Sequence, residues 1–488
     1  MDRVDGDEQV SASKYPRSIR RDGGDLSWDS DVAPAVAEVA VSIAPGVVVV
    51  VDAADTSTVL RWHVAEGGGI RALAAACVEP GLGGILERAA SGIESECDAV
   101  HLDARWTRLG LTAACGRWSM VRMNESVLVL DGAAARHRIG DTTAAARLFA
   151  VASATLEGLG VDCLNGEMSS SAAKEMAIVT LEAAEAVSET TWGYVLMDLA
   201  ARVQAATAFD DDTLRQWIED LVETQSLSLV DTDMAGGGTR SRASVFSGYI
   251  DPHVVPPRIL AWRGASTPEI EATYRVEGET GRVILSAQLA QGIDPHSREA
   301  GEMLAYAANR RSGQLLVSVP MVADGTSLIG IMEIDEDSLS DICFGIFCAS
   351  SDPRDLRAGD SAGVLVDVDR LMLEAWGLQR AKLAALYVAN STSESEARRA
   401  VTSAARGFTR EALDAAESAV EKLTWLNDEF GRDSQSWGAL LESRIEAIER
   451  FMAAVEDDRA EPPGTQPLLA ELLITPSDDD NDRSDGRS

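Results

Sequence analysis

Gly359-Asp360-Ser361-Ala362-Gly363 matches G-x-S-x-G, a spacing that can set a serine hydroxyl on a tight turn ahead of a helix, open for nucleophilic attack. Such a serine needs a base. All five histidines (His63, His101, His137, His253 and His296) precede Ser361, and Ser350 to Arg357 is polar and loop-like where a strand should lead into the turn. The same residues also read as an Asp-Ser turn capping the helix that follows. His101, Asp103 and Arg105 stand at i, i+2 and i+4. On a strand, all three would project from one face and could do acid–base work or hold a carboxylate, with Leu102, Ala104 and Trp106 turned to a core. A solvated outer face is the simpler reading. The triplets Asp251-Pro252-His253 and Asp294-Pro295-His296 read as turn starters.

Val47 to Thr58 runs V-V-V-V-V-D-A-A-D-T-S-T, a strand ending in Asp52 and a small-residue turn. It resembles the first phosphate loop of actin-, hexokinase- and Hsp70-like ATPases, and Val127 to Gly132, ending in Asp131-Gly132, resembles the second. That resemblance implies a nucleotide-binding domain in which Asp52 and Asp131 orient a metal-bound water. The chain departs from the pattern where backbone N–H groups must close on phosphate: Ala54 stands where Gly is expected, Asp55 adds negative charge, and Ala133-Ala134-Ala135 follows Asp131. A buried strand with a polar turn is the alternative. The Ser361 motif resembles the esterase and lipase elbow, which implies a serine hydrolase, but the family order of Ser, acid, then His is not available. There is no G-x-x-x-x-G-K-[ST], no C-x-x-C, and no His near a Cys pair at zinc spacing, so neither a cofactor nor a metal is expected.

The elements that would carry these residues divide the 488-residue chain as follows. Residues 1–31 read as a disordered arm of mixed charge. Residues 32–140 read as a small α/β unit, with Val47–Val51 a strand buried on both faces and Ser126–Leu130 and His101–Thr107 further strands. Residues 141–226 are helical hairpins; Trp192, Val195, Leu196, Leu199 and Val203 fall on one face of one helix, and Leu214, Trp217, Ile218, Leu221 and Val222 on one face of the next. Residues 227–257 read as a linker. Residues 258–366 form a β-rich domain with hairpins over 272–289 and 315–334 and one helix near 298–310. Residues 367–458 form an antiparallel helical bundle, and 459–488 an acidic disordered tail. The expected fold class is multidomain α and β.

The 43 basic residues stand against 79 acidic ones, a formal net charge of −36, while 45% of residues are hydrophobic. Packed cores are therefore affordable, and the field repels nucleic acid and anionic membrane. Six scattered cysteines read as reduced, buried thiols. The arginine-, alanine- and glycine-rich usage suggests a bacterial source, and the absence of an apolar leader or a 20-residue apolar span suggests the cytoplasm. Within the tail, Leu468, Leu469, Leu472 and Leu473 line one side of a short helix. They either dock in a partner's groove or pack back on their own body. The leading expectation is a non-enzymatic cytosolic adaptor or scaffold, binding a protein partner of basic character through its acidic surface and terminal segments.

Overall fold

Trp28 and Trp62 lie directly opposite each other on neighbouring antiparallel strands, and both are almost fully buried. The computed structural model describes residues 17–473 except positions 31, 122, 258 and 312 and the ranges 205–210, 228–244, 261–268, 278–279, 291–292, 335–340, 354–355, 358–360, 392–395, 431–434 and 458–463. The described end of the N-terminal arm is structured, contrary to its polar composition. β1 (Arg17–Ser18), β2 (Arg20–Asp22) and β3 (Asp25–Asp29) all pair with later strands, because Leu26 and Trp28 alternate with polar residues and bury two large side chains.

The sheet continues with β4 (Glu38–Ala44), β5 (Val47–Asp52) and β6 (Thr58–Val64), in the order β2-β3-β6-β5-β4. α1 (Ile70–Ala76) and α2 (Leu82–Ala90) follow. β7 (Glu96–Cys97) then pairs with β1, and β8 (Val100–His101) with β6. The five valines are not buried on both faces. Val47, Val49 and Val51 are sealed, while Val48 and Val50 are half-buried, the alternation of an antiparallel sheet with one face on a core.

A helical layer comes next: α3 (Ala104–Trp118), α4 (Glu125–Arg138), α5 (Thr142–Val151), α6 (Ser153–Asn165), α7 (Ser170–Ala186), α8 (Thr191–Gln204) and α9 (Asp211–Leu227). Two strand expectations are overturned here. Asp103 is the N-cap of α3, accepting from the Arg105 and Trp106 N–H groups, so the chain turns helical two residues after His101. Asn124 likewise caps α4, and the alanine run after Asp131 carries that helix through the supposed strand 126–130.

β9 (Val245–Tyr249) opens a β-rich unit. It joins β10 (Glu269–Glu277), β11 (Thr280–Gln288), β14 (Val322–Asp324) and β15 (Ser327–Glu333) in the order β14-β15-β11-β10-β9, while β12 (Met303–Asn309), β13 (Leu315–Pro320) and β16 (Ile342–Cys348) form a second sheet ordered β13-β12-β16. The helix near 298–310 is a single turn, α10 (Arg298–Gly301), before β12. β13 and β15 are not hairpin partners: Pro320 ends β13 in one sheet, and the chain crosses to the other for the β14–β15 hairpin.

α11 (Ala362–Ser391), α12 (Glu396–Phe430) and α13 (Gln435–Glu456) form the C-terminal bundle, and one last turn, α14 (Leu469–Leu472), follows. The molecule is thus multidomain α and β, with antiparallel sheets and a C-terminal helical region. Its two cores cut across the chain order. One is shared by the N-terminal sheet, the helices to α9 and the bundle with α14; the other lies wholly within residues 250–356. The β-rich unit is therefore inserted into a body that closes only with the C-terminal helices. Among the described residues no single helix is long and apolar enough to cross a membrane, and the bent pair α5–α6, which together has the length and composition, packs on α4 and α7.

Candidate peptide-binding groove

The residues from Gly464 to Leu473 lie in a groove lined by side chains of α3, α4, α9 and α11. Leu468, Leu469 and Leu472 are sealed from solvent and Leu473 is half-buried, so the leucines read from the sequence as partner-binding sit in their own chain's core. What distinguishes the groove is how it addresses main chain. Asp131, in the middle of α4, accepts the Leu469 N–H at 3.0 Å and the Ala470 N–H at 2.9 Å. Arg108 of α3 donates to the Gln466 carbonyl and, at 3.0 Å, to the Pro467 carbonyl. Arg380 of α11 reaches the Thr465 carbonyl at 2.9 Å, and the Trp217 indole of α9 donates to the Leu472 carbonyl at 3.0 Å.

The capping logic explains Asp131. A helix start exposes N–H groups that a Ser or Asp at the preceding position usually satisfies. Leu468 holds that position and has no acceptor. Glu471 reaches back to the Leu468 N–H at 2.7 Å, and Asp131 supplies the remaining cap from another helix. Glu471 in turn takes both Arg380 nitrogens at 2.7 Å, a buried bidentate pair. Gly464, at φ +96°, enters where a Cβ would strike the Ala104 carbonyl oxygen.

The electrostatics follow from this enclosure. Burial pushes the Asp131 carboxyl up to about 6, although Arg108 and the two N–H groups pull it back. Burial, with Glu471, raises the Cys115 thiol well above its usual range, so Cys115 on the groove wall is a poor nucleophile. A small cleft of about 50 Å³ opens beside α14, walled by Met123, Leu221, Trp376, Arg380, Glu471 and Leu473.

Asp52 plays a related part elsewhere. Its carboxylate accepts the N–H groups of Ala35 (2.6 Å), Val36 (3.2 Å) and Ala54 (3.1 Å), tying the segment before β4 to the end of β5, and burial pushes it up to about 6 as well. Both aspartates that the ATPase resemblance singled out thus hold protein backbone, and Asp131 stands on a helix rather than at a strand end. His101 pairs with Glu79 at 2.9 Å, while Arg105 folds back on Asp103, so the expected His–Asp–Arg face does not form. The Ser361 carbonyl accepts the Leu365 N–H at the start of α11, the helix-entry role of the alternative reading; Gly359 and Asp360 lie outside the described residues. Among the described residues no three His, Cys, Asp or Glu side chains gather so as to hold a metal ion.

A second buried charge cluster joins the inserted unit to the body. Asp369 of α11 meets Arg357 and His253 from the inserted side and Arg444 of α13, with the His253 Nε2 at 3.0 Å. Burial alone would raise this carboxyl; Arg444, His253 and Arg357 outweigh it and hold Asp369 well below the usual carboxylate range. Arg117 of α3 stacks over Trp118 at 4.2 Å and donates to the His253 carbonyl at 2.9 Å. The Asp251-Pro252-His253 turn is therefore the contact point, with the His253 N–H on the Asp251 carboxylate at 2.9 Å.

Sequence reading missed Arg108, Arg380, Glu471, Asp369, Arg357 and Arg444. No local signal marks them: Arg108 has Arg105 and Thr107 beside it, and Arg380 stands between Gln379 and Lys382, so nothing in the sequence separates these arginines from solvated ones. Comparison with protein families, with curated proteins and with solved structures found no match to this chain.

Proposed function

We propose that the protein is a cytosolic, non-enzymatic adaptor or scaffold, and that the groove now filled by residues 464–473 is a recognition site for short apolar helices entered through a proline. The reading is supported above all by one observation: buried Asp131, Arg108, Arg380 and Trp217 are directed at main-chain atoms of the segment. Groups of that kind recognise any peptide able to adopt the same backbone path, with leucine pockets adding selection. Arg380 adds a demand for a carboxylate in the third position of the helix, where Glu471 stands. In the resting chain the tail acts as the occupant, and a partner segment of the pattern Pro-Leu-Leu-x-Glu-Leu-Leu exchanges with it. The acidic remainder of the surface steers a basic partner towards the chain.

The test places a protease site at positions 459–461 of the full-length protein. After cleavage, a fluorescent peptide of residues 464–475 is added and its binding followed by anisotropy. Saturable binding, competed by unlabelled peptide and weakened by Glu471→Gln in that peptide, supports the reading. Aggregation of the cleaved protein, or a segment that never exchanges, shows the tail to be fixed core and defeats it.

A further inference from the structure

The groove that holds residues 464–473 makes narrow demands on its occupant. At Gly464 the backbone is left-handed, and a Cβ would strike the Ala104 carbonyl oxygen, so the entry point takes glycine. Leu468, Leu469 and Leu472 are sealed from solvent, and Arg380 meets Glu471 through two nitrogens at 2.7 Å. An occupant therefore needs a glycine, a pair of leucines starting four residues later, and a glutamate followed directly by another leucine. The chain's own segment meets all of these demands, and a second copy of the chain carries the same segment. The segment is joined to its body in a way that permits exchange. Lys382 of α11 holds the end of α13 by donating to the Val455 carbonyl at 2.8 Å. From there residues 457–463 lead to Gly464, a connection that can reach at most about 25 Å. α14 then packs on α4, α7 and α11. Arg108, Asp131, Trp217 and Arg380 bond the main chain of the segment, and the same bonds form whichever copy supplies it.

We infer that the protein self-associates by exchanging residues 464–473, each copy's segment filling the other's groove. This exchange rests on the groove reading above, with a second copy as the partner. It is reciprocal, so the pair closes about a two-fold axis and leaves no groove empty. The contacts are the same within one chain and between two, so protein concentration sets the balance. Charge opposes it: each copy carries −36, and two like-charged bodies must come within reach of the connection. Salt screens that repulsion. Self-association therefore strengthens as salt is raised, opposite in sign to the capture of a basic partner by the acidic surface.

The experiment uses the full-length protein carrying a protease site at positions 459–461. Sedimentation velocity follows it as protein concentration and salt are raised. A dimer that grows with both is expected. Cutting the connection should return that dimer completely to monomers, because the segments then stay in the grooves without tying the bodies together. Monomers throughout, a dimer that shrinks as salt rises, or a dimer that survives or aggregates on cleavage overturns the inference. If the peptide of residues 464–475 exchanges into the cleaved protein while the uncut chain stays monomeric, the groove reading stands and exchange between copies falls. If neither is seen, both fall.

Discussion

Asp131 caps a helix that begins 338 residues further along the chain, its carboxylate 3.0 Å from the Leu469 amide nitrogen. A cap supplied from so far away makes this last described turn conditional on the fourth helix, and the core around α4 conditional on that turn.

Deleting residues 458–488 should therefore lower the melting temperature markedly. Three fully buried leucines are lost, each contributing roughly 1.5–3 kcal/mol before the entropy of ordering the segment is set against it. Asp131 and Arg108 would also lose their backbone partners. Differential scanning calorimetry of the truncated and native proteins measures the change, and a shift below two or three degrees would mean that the segment adds little to the body.

Arg380 and Glu471 should behave as a coupled pair. Arg380→Met alone strands a buried carboxylate and is expected to cost about 3–5 kcal/mol. Adding Glu471→Leu should recover most of that loss, since an apolar pair of similar size fits the same space. A double-mutant cycle by urea denaturation gives the coupling; additive effects would contradict it.

Stability should rise as pH falls from neutrality towards about 5. Asp52 and Asp131 are pushed from 3.8 to about 6 in the folded protein, so between those values the folded state binds more protons than the unfolded one, and stability falls as pH rises through that window. Asp369 is displaced the other way, and its contribution is present above about 3.8 and lost as pH falls below that value. Comparing urea midpoints of the native protein and an Asp52→Asn, Asp131→Asn variant isolates the first effect. The difference between them should grow from pH 8 to pH 5 in favour of the native chain; a difference independent of pH would refute the assignment.

Asp369→Ala should loosen the inserted unit from the body, because Arg357, Arg444 and His253 would be left around an empty position. A loss of about 3–5 kcal/mol is expected, with hydrogen exchange rising first in residues 250–256 and at the start of α11. Uniform exchange across the chain would instead point to global destabilisation.

The segments legible in the sequence were those whose pattern answers to local physics. The alternation through 283–289 and the apolar stripes of α9 and α12 each bury one face, and one face is what periodicity reports. The failures came where the deciding partner was distant. The first described strands looked like an arm because Trp28 finds its cover on β6, and Leu468 to Leu473 looked like a tail because the walls of their groove lie in α3, α4, α9 and α11. Val195 fell on the core side of a helical wheel but is exposed; the wheel cannot know that Gly193 presses on Val187. Asp52 and Asp131 entered through a resemblance to phosphate loops; the spacing that suggested phosphate chemistry could not show that backbone amides already occupied them.

The insertion of the β-rich unit and the placing of α14 impose an order on synthesis. Chains generally fold as they emerge, N-terminal units first. Here the N-terminal sheet and the helices to α9 leave the ribosome with one side of their core open. The inserted unit, with a core of its own, can fold on emergence while that side still waits. The waiting ends only when residues 464–473 reach the groove. A product that stops anywhere in the bundle would leave buried apolar side chains such as Leu130 without their full cover. The core of the body thus stays open until the bundle and α14 have both been made.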